Sequence, residues 1–559
     1  LQVPFDEFES PVRGLMMEMP LMISSILDHA ARWNGDVEVV SRRHDGGLDR
    51  SNYAAVAKRT AQLAHALRRF GIAPGDRVAT VAWNSQRHLE LYYAISGIAA
   101  IIHTINPRLF AEQLEYIGNH ARDRMIFVDA DLVKILEPLA AKLPTVEAYV
   151  ILCDAAAMPP TTLPNAICYE AFIADEPDAI VWPVFDERTA SGLCYTSGTT
   201  GNPKGALYSH RSTVLHAMSG AASHRSREGA LKSILPVVPM FHVNAWGLPY
   251  VAPMVGAKLV FPGAKLDPAS LYELFESEAV DFTAGVPTVW LWLIAYVKAQ
   301  NLKFSTLKAL GVGGSAAPRS MIEAFENEFG VEVLQGWGMT ETSPVCTTGA
   351  IKPKHDTPEK RFDYKSIAGR INYGVDLRII DESGAVLPDD GTSQGELLVR
   401  GHWVASGYYE DEAATKRAIT ADGWFHTGDI ASLDSDGYLT MRDRVKDVIK
   451  SGGEWISSID LENVAVGHPG IAEAAAVGVP HPVWSERPIL VVIRAPGATV
   501  ERADVLAYLE GKIVKWWTPD DVIFVDELPH TATGKISKRL LRDQLKDYRL
   551  PETATPAKA

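Results

Sequence analysis

No stretch of these 559 residues is apolar for long enough to span a bilayer. The longest run, YYAISGIAAIIHTI at 92–105, falls short of a span and carries His103. The opening residues, LQVPFDEFES, are acidic and lack the apolar centre of a secretory signal, so no export signal is expected there. Cysteine is scarce. Cys153, Cys168, Cys194 and Cys346 lie apart without metal-ligand spacing, and reduced thiols in a cytoplasm are the expectation. Positive charge is short as well: a net charge of −15 argues against general affinity for nucleic acid or an anionic membrane. Anionic ligands stay open, provided a few cations gather in one cleft. HExxH and CxxC patterns are missing too, so no zinc protease or dithiol chemistry is expected.

What is present is an ordinary globular composition, 47% apolar and 22% charged. The length suggests roughly two to four domains. Short β-branched runs alternate with helical patterns over the first two-thirds. Strands are expected at 76–83, 124–130 and 146–154, and helices at 87–100 and 131–141. The rhythm resumes with strands at 257–263, 280–287 and 331–335, and helices at 268–278 and 288–300. Such a βαβ order predicts α/β architecture, a parallel sheet covered on both faces. From about 365 to 442, alternating runs with Gly/Asp turns predict antiparallel hairpins. A charged run at 443–448 then precedes a compact α+β segment, 449–559.

Three Gly-rich loops follow predicted strands: 195–205 (YTSGTTGNPKG), 311–318 (GVGGSAAP) and 335–344 (QGWGMTETSP). Open α/β sheets bind ligands beyond the carboxyl ends of their strands, so the three loops are expected to meet at one site. The first is crowded with hydroxyls and glycines suited to an anion-binding concavity. It fails the Walker A template, because Pro203 precedes Lys204 and Gly205 follows it.

YTSGTTGNPKG resembles the phosphate loop of the acyl-adenylate-forming enzymes, which include acyl-CoA synthetases, peptide-synthetase adenylation domains and luciferases. The likeness runs over roughly 20–545 and recurs in order at PMFHVNAWG (239–247), GGSAAP (313–318), QGWGMTETSP, GWFHTGD (423–429), DRVKDVIKSGGEWIS (443–457) and TATGKISK (531–538). Taken singly, each residue has a bland alternative, such as a capping threonine, a surface glutamate or a core tryptophan. Seven motifs in register outweigh those alternatives.

The resemblance implies a large N-terminal domain, 1–442, a hinge at 443–448 turning on Lys446, and a small mobile C-terminal domain, 449–559. It implies ATP, Mg²⁺ and coenzyme A as cofactor and co-substrates of a small carboxylate, with no nucleic acid and a homodimer as one option. Lys535, Lys204, Glu341 and His242 are the implied catalytic set, with Thr196 and Glu341 on the metal. The nucleotide would meet Thr196, Ser197, Gly198, Thr199, Thr200, Gly201 and Lys204 at its phosphates. Asp429 and Arg444 would meet its ribose. Gly314, Ser315, Ala316, Ala317 and Trp337 would form the adenine slot, Gly336, Gly338, Met339 and Thr340 would also bind the nucleotide, and Lys535 would meet the α-phosphate. His242, Val243, Trp246, Gly313, Trp337, Gly338 and Pro344 are the implied acyl pocket, with Gly338 leaving open a slot that a tryptophan closes in acetate-activating members. Lys450, Ser451, Gly452, Gly453, Glu454 and Trp455 are the implied CoA loop.

His242 stands where amino-acid-activating members carry an aspartate, so an amino acid is a poor candidate substrate. No carrier segment is expected in the stretch after Lys535. The wording is most similar to ligases coupling 3-methylmercaptopropionate, or short- and medium-chain fatty acids, to CoA. A luciferase-like oxidase and a non-catalytic acyl-AMP-binding relative are the alternatives from other classes.

Overall fold

The computed structural model describes residues 14–196, 202–225, 231–452, 454–531 and 535–550. Two seven-stranded sheets dominate the first two-thirds. One runs in spatial order Ala166–Cys168, Ala148–Leu152, Met125–Asp129, Arg77–Val81, Ile101–Thr104, Ala190–Tyr195 and Gly205–Ser209. Its strands are parallel except the last. The other runs Glu332–Gln335, Ala309–Val312, Phe282–Gly285, Ser233–Pro236, Lys258–Phe261, Glu38–Arg42 and Leu48–Asn52, again parallel save for the last.

One shared core joins the two sheets. It takes Val78, Ile102 and Phe127 from the first, Val39, Ile234 and Leu259 from the second, and Leu63, Tyr92, Tyr93 and Val251 from helices between them. The apolar run at 92–105 is explained here. Helix Gln86–Gly97 is buried from His88 onward, so its apolar residues serve the core rather than lipid. Buried hydroxyls on this core find partners, as they must: Tyr53 donates to the Ala257 carbonyl at 2.5 Å and Tyr93 to that of Pro249 at 2.9 Å.

The expected helix at 131–141 is broken into Ala130–Leu132, Val133–Leu136 and Ala140–Lys142. Pro138 lacks an amide donor and cannot continue the turn. The antiparallel segment forms a four-stranded sheet of Val375–Ile380, Gly395–Gly401, Phe425–Leu433 and Leu439–Arg444. Its last strand runs through Arg444, inside the segment expected as hinge. The C-terminal segment forms a separate five-stranded sheet with helices Ser458–Val466, Arg502–Leu509 and Lys538–Gln544. No helix among the described residues is long and apolar enough to cross a membrane.

Candidate active site

The three Gly-rich loops do converge. A cavity of about 1220 Å³ is lined by Thr196 and Lys204, by the loops after strands Ala309–Val312 and Glu332–Gln335, and by Lys535 from the C-terminal segment. The carboxyl ends of parallel strands open onto it, as the sheet rule requires.

Thr196 and Lys204 close the base of a hairpin between antiparallel strands Ala190–Tyr195 and Gly205–Ser209. The Thr196 amide donates to the Lys204 carbonyl at 2.9 Å, and the Lys204 amide to the Thr196 hydroxyl at 3.1 Å. Ser197, Gly198, Thr199, Thr200 and Gly201, the implied phosphate cradle, lie outside the described residues.

Glu341 is buried, and burial raises its carboxyl pKa above the usual range. The opposing contact is Tyr408, whose hydroxyl donates to Glu341 Oε1 at 2.6 Å. The Tyr408 ring also faces the Lys204 ammonium, 4.8 Å from the ring centroid. The sequence reading missed Tyr408. It sits 67 positions from its partner, and only the Gly-Tyr dipeptide before a helix hinted at a fixed turn. A hydrogen bond to a carboxylate favours its ionised form. Tyr408→Phe is therefore expected to weaken Mg·ATP binding about 10–10²-fold at the acid end of the profile, since such a bond is worth about 1.5–3 kcal/mol. The deficit should shrink as pH rises and Glu341 ionises without help. Calorimetric ATP titrations from pH 6 to 8.5 check this, and a pH-independent deficit would count against it.

Thr196 and Glu341 supply the hard oxygens that Mg²⁺ prefers. Among the described residues no group of three or more His, Cys, Asp or Glu could cage a metal unaided. That donor set fits an ion held jointly with phosphate oxygens.

Asp429 and Arg444 face each other across paired strands, with Arg444 Nε 3.1 Å from Asp429 Oδ1. The Trp337 indole N–H donates to Asp429 Oδ2 at 2.9 Å. Both carboxylate oxygens are thus already engaged, and Asp429 is only 3% exposed. Arg444 and Trp337 line the cavity in front of it. Gly314, Ser315, Ala316, Gly336, Gly338, Met339 and Thr340 also line the cavity. Ala317 does not: it is buried, its amide donating to Gln335 Oε1 at 3.0 Å.

Lys535 enters from the C-terminal segment on a turn in which the Thr531 amide donates to the Lys535 carbonyl at 2.6 Å. Its side chain passes over Gly314, whose φ is +85°, and a Cβ there would stand 3.1 Å from Lys535 Cε. Glycine supplies both the left-handed backbone and the clearance. Burial, with the positive Arg444 nearby, pushes the Lys535 amine down to about 8. Burial and the Lys535 charge push His242 down to about 3, so its imidazole is neutral and can donate one N–H but supplies no positive charge.

His242, Val243, Trp246, Gly313, Trp337, Gly338 and Pro344 all line the cavity. Val243, Asn244, Ala245 and Trp246 have φ of +46°, +53°, +46° and +56°, followed by Gly247 at +82°. Such a left-handed turn costs about 1–2 kcal/mol per non-glycine residue and marks a site held by its surroundings. Tyr92 holds it from the core, donating to the Met240 carbonyl at 2.5 Å and approaching Asn244 Oδ1 at 3.2 Å. Asn84 clamps the preceding loop through the Pro236 and Val238 carbonyls. The turn presses the Trp246 ring toward Gly313, where a Cβ would lie 3.1 Å from the indole. A Cβ at Gly338 would stand 2.0 Å from the Pro344 carbonyl oxygen, so backbone packing there demands glycine.

The implied CoA loop is elsewhere. Lys450, Ser451, Gly452 and Trp455 belong to the hairpin of strands Ile449–Ser451 and Glu454–Ile456, away from the cavity lining. Gly452 donates to the Trp484 carbonyl at 2.9 Å, and Lys450 lies over Trp455. Gly453 is outside the described residues, and Glu454 opens the second strand. Lys446, the implied hinge, lines the cavity directly after Arg444 and Val445.

Known proteins resemble this chain. The chain is 48% identical to a 3-methylmercaptopropionyl-CoA ligase of Ruegeria pomeroyi over 96% of this chain and 99% of that one. It is 46% identical to a medium-chain fatty-acid–CoA ligase of Ectopseudomonas oleovorans, over 97% and 99% respectively. The crystal structure of ATP-bound MatB from Rhodopseudomonas palustris superposes with a TM-score of 0.79 at 26% identity, covering 95% of this chain and 99% of that one. Residues 27–409 match the AMP-binding enzyme family and 460–535 its C-terminal domain, so the lysine turn and the cavity it enters come from two matched segments of one design. The chain belongs to the AMP-binding enzyme family.

Proposed function

We propose that this protein is an ATP-dependent acid–CoA ligase acting on 3-methylmercaptopropionate. The observation that carries the reading is the entry of the Lys535 ammonium into a cavity that also holds Lys204 and Glu341. In the first half-reaction the substrate carboxylate attacks the α-phosphorus of ATP, the bond to the bridging oxygen breaks, and pyrophosphate leaves. Both reactants are anions, so cations aimed at the developing charge stabilise the transition state. Lys535 serves the α-phosphate and Lys204 the departing phosphates. Glu341 and Thr196 would hold Mg²⁺, which would supply neutralisation of phosphate charge. In the second half-reaction the CoA thiol attacks the acyl carbonyl and AMP leaves. The neutral His242 donates to the carboxylate rather than pairing with it. Four buried, unbridged cysteines suit a cytoplasmic location. Light scattering tests for a homodimer.

For the acid, the wall beyond His242 and Trp246 is apolar: Phe282, Leu291, Trp292 and Ala295 extend the cavity along helix Pro287–Ala299. That extension favours a second reading, a short- or medium-chain fatty acid. Pyrophosphate release and thioester formation should be followed across C2–C10 acids and 3-methylmercaptopropionate. The sulfur acid is expected to have the highest kcat/KM, with butyrate and hexanoate within about 10–200-fold, the range one methylene controls. An optimum at any of the fatty acids would favour the second reading, and turnover without CoA dependence would overturn both.

A further inference from the structure

Asp443 is 1% exposed and lies one residue before Arg444, on the large-domain side of Lys446. A buried carboxylate needs donors, and here they come from the other side of the hinge. The Ser458 amide and hydroxyl donate to Asp443 Oδ2 at 2.7 and 2.6 Å. Ser458 is the first residue of helix Ser458–Val466 and is itself fully buried. Its hydroxyl also accepts from Lys538 Nζ at 2.5 Å, giving a relay from Lys538 through Ser458 to Asp443. Lys538 pairs with Glu462 at 2.8 Å, and Glu462 Oε1 accepts the Ala476 amide at 2.8 Å. A second tie crosses at the same place, the Ser457 hydroxyl donating to the Arg442 carbonyl.

Lys538 opens helix Lys538–Gln544 and lies three residues beyond Lys535. The same helix is tied by Arg542 to Asp447 at 2.7 Å, but Asp447 follows Lys446, so that pair travels with the helix if the segment turns. The Asp443 contacts do not. Any rotation about Lys446 separates Asp443 from Ser458 and Lys538 and forces the carboxylate to find water.

We propose that Ser458 and Lys538 are positioning residues for Lys535: their relay to Asp443 is a latch across the hinge that exists only while Lys535 sits against Gly314. This rests on the ligase reading for its kinetic consequence, not for its geometry. The latch stabilises the adenylating orientation and must open before the thiol step.

Ser458→Ala removes the hydroxyl relay and keeps the backbone donor. Lys538→Met removes the cation but strands buried Glu462, so Lys538→Arg serves as the conservative rescue. Ser458→Ala and Lys538→Met are each expected to slow adenylation about tenfold, as for loss of a charge-assisted bond. Thioester formation from supplied acyl-AMP should be unchanged or faster, and Lys538→Arg should restore adenylation. Equal loss in both half-reactions, or no loss in either, would overturn the latch.

An independent readout uses spin labels at Tyr373→Cys in the large domain and Val483→Cys in the C-terminal segment, both exposed, with the four native thiols buried. Ser458→Ala is expected to shift the label distances away from those of the parent in the absence of substrate, and an unchanged distribution would overturn the proposal. If the parent adenylates no acid at all, the ligase reading fails, while the label distances still decide the latch.

Discussion

Lys535→Ala is expected to slow acyl-adenylate formation by about 10²–10³-fold, as for loss of an oxyanion donor, and to leave thioester formation from supplied acyl-AMP intact. The asymmetry follows from where the lysine sits. Its turn reaches the cavity from the C-terminal segment, its stem lies over Gly314, and Asp429 and Arg444 are its charged neighbours. No described contact ties it to the hairpin that carries the implied CoA loop. Single-turnover measurements with ATP plus acid, and separately with acyl-AMP plus CoA, check the split. Equal damage to both steps would remove Lys535 from the assigned role.

The unaltered enzyme supplies a second check. Burial pushes the Lys535 amine down to about 8, and only its protonated form carries the charge that the transition state needs. Adenylation kcat/KM, which reports the free enzyme, should therefore fall as pH rises through about 8. A profile flat to pH 10 would show that Lys535 is not the titrating cation.

The second large effect is expected at the proposed hinge. Lys446→Pro should cut the thioester step by about 10²-fold, the cost of leaving a reacting group misplaced, and affect adenylation far less. Proline fixes its own φ and restricts the residue before it, so Val445 and position 446 both lose the freedom a rotation needs. Val445 donates to the Gly428 carbonyl at 3.0 Å, which anchors the chain before position 446, while the Asp447 and Val448 amides both donate to the Arg444 carbonyl at 2.9 Å across it, so a rotation there must open that turn. Lys446→Ala is the control, since it keeps backbone freedom. If the proline variant slows only adenylation, the pivot lies elsewhere.

Much of this was legible without coordinates. The βαβ rhythm gave both parallel sheets, because a strand buried on two faces must be written in β-branched residues. Glycines after strands marked where backbone approaches ligand or neighbouring loops. The motif residues Thr196, Lys204, His242, Trp337, Glu341, Arg444 and Lys535 all reach one cavity. What was missed shares a cause. The crowding of Gly338 by the Pro344 backbone shows only in the fold. Tyr408, Tyr92, Asn84 and Ser458 carried no motif, since each acts on a partner far along the chain.

By itself, then, the sequence determined the chemical inventory and the class of fold, for both are written in residue types at local spacings. Only the tertiary structure decided which groups meet and in what state. The left-handed turn at 243–247 is strained locally and persists because Tyr92 and Asn84 grip it from the core. Lys535 and His242 lose affinity for protons because folding removes water around them. Asp443 finds its donors in Ser458, at the start of a helix fifteen residues on, which no local pattern describes. Burial and long-range packing are properties of the folded chain as a whole, so no short stretch can encode them.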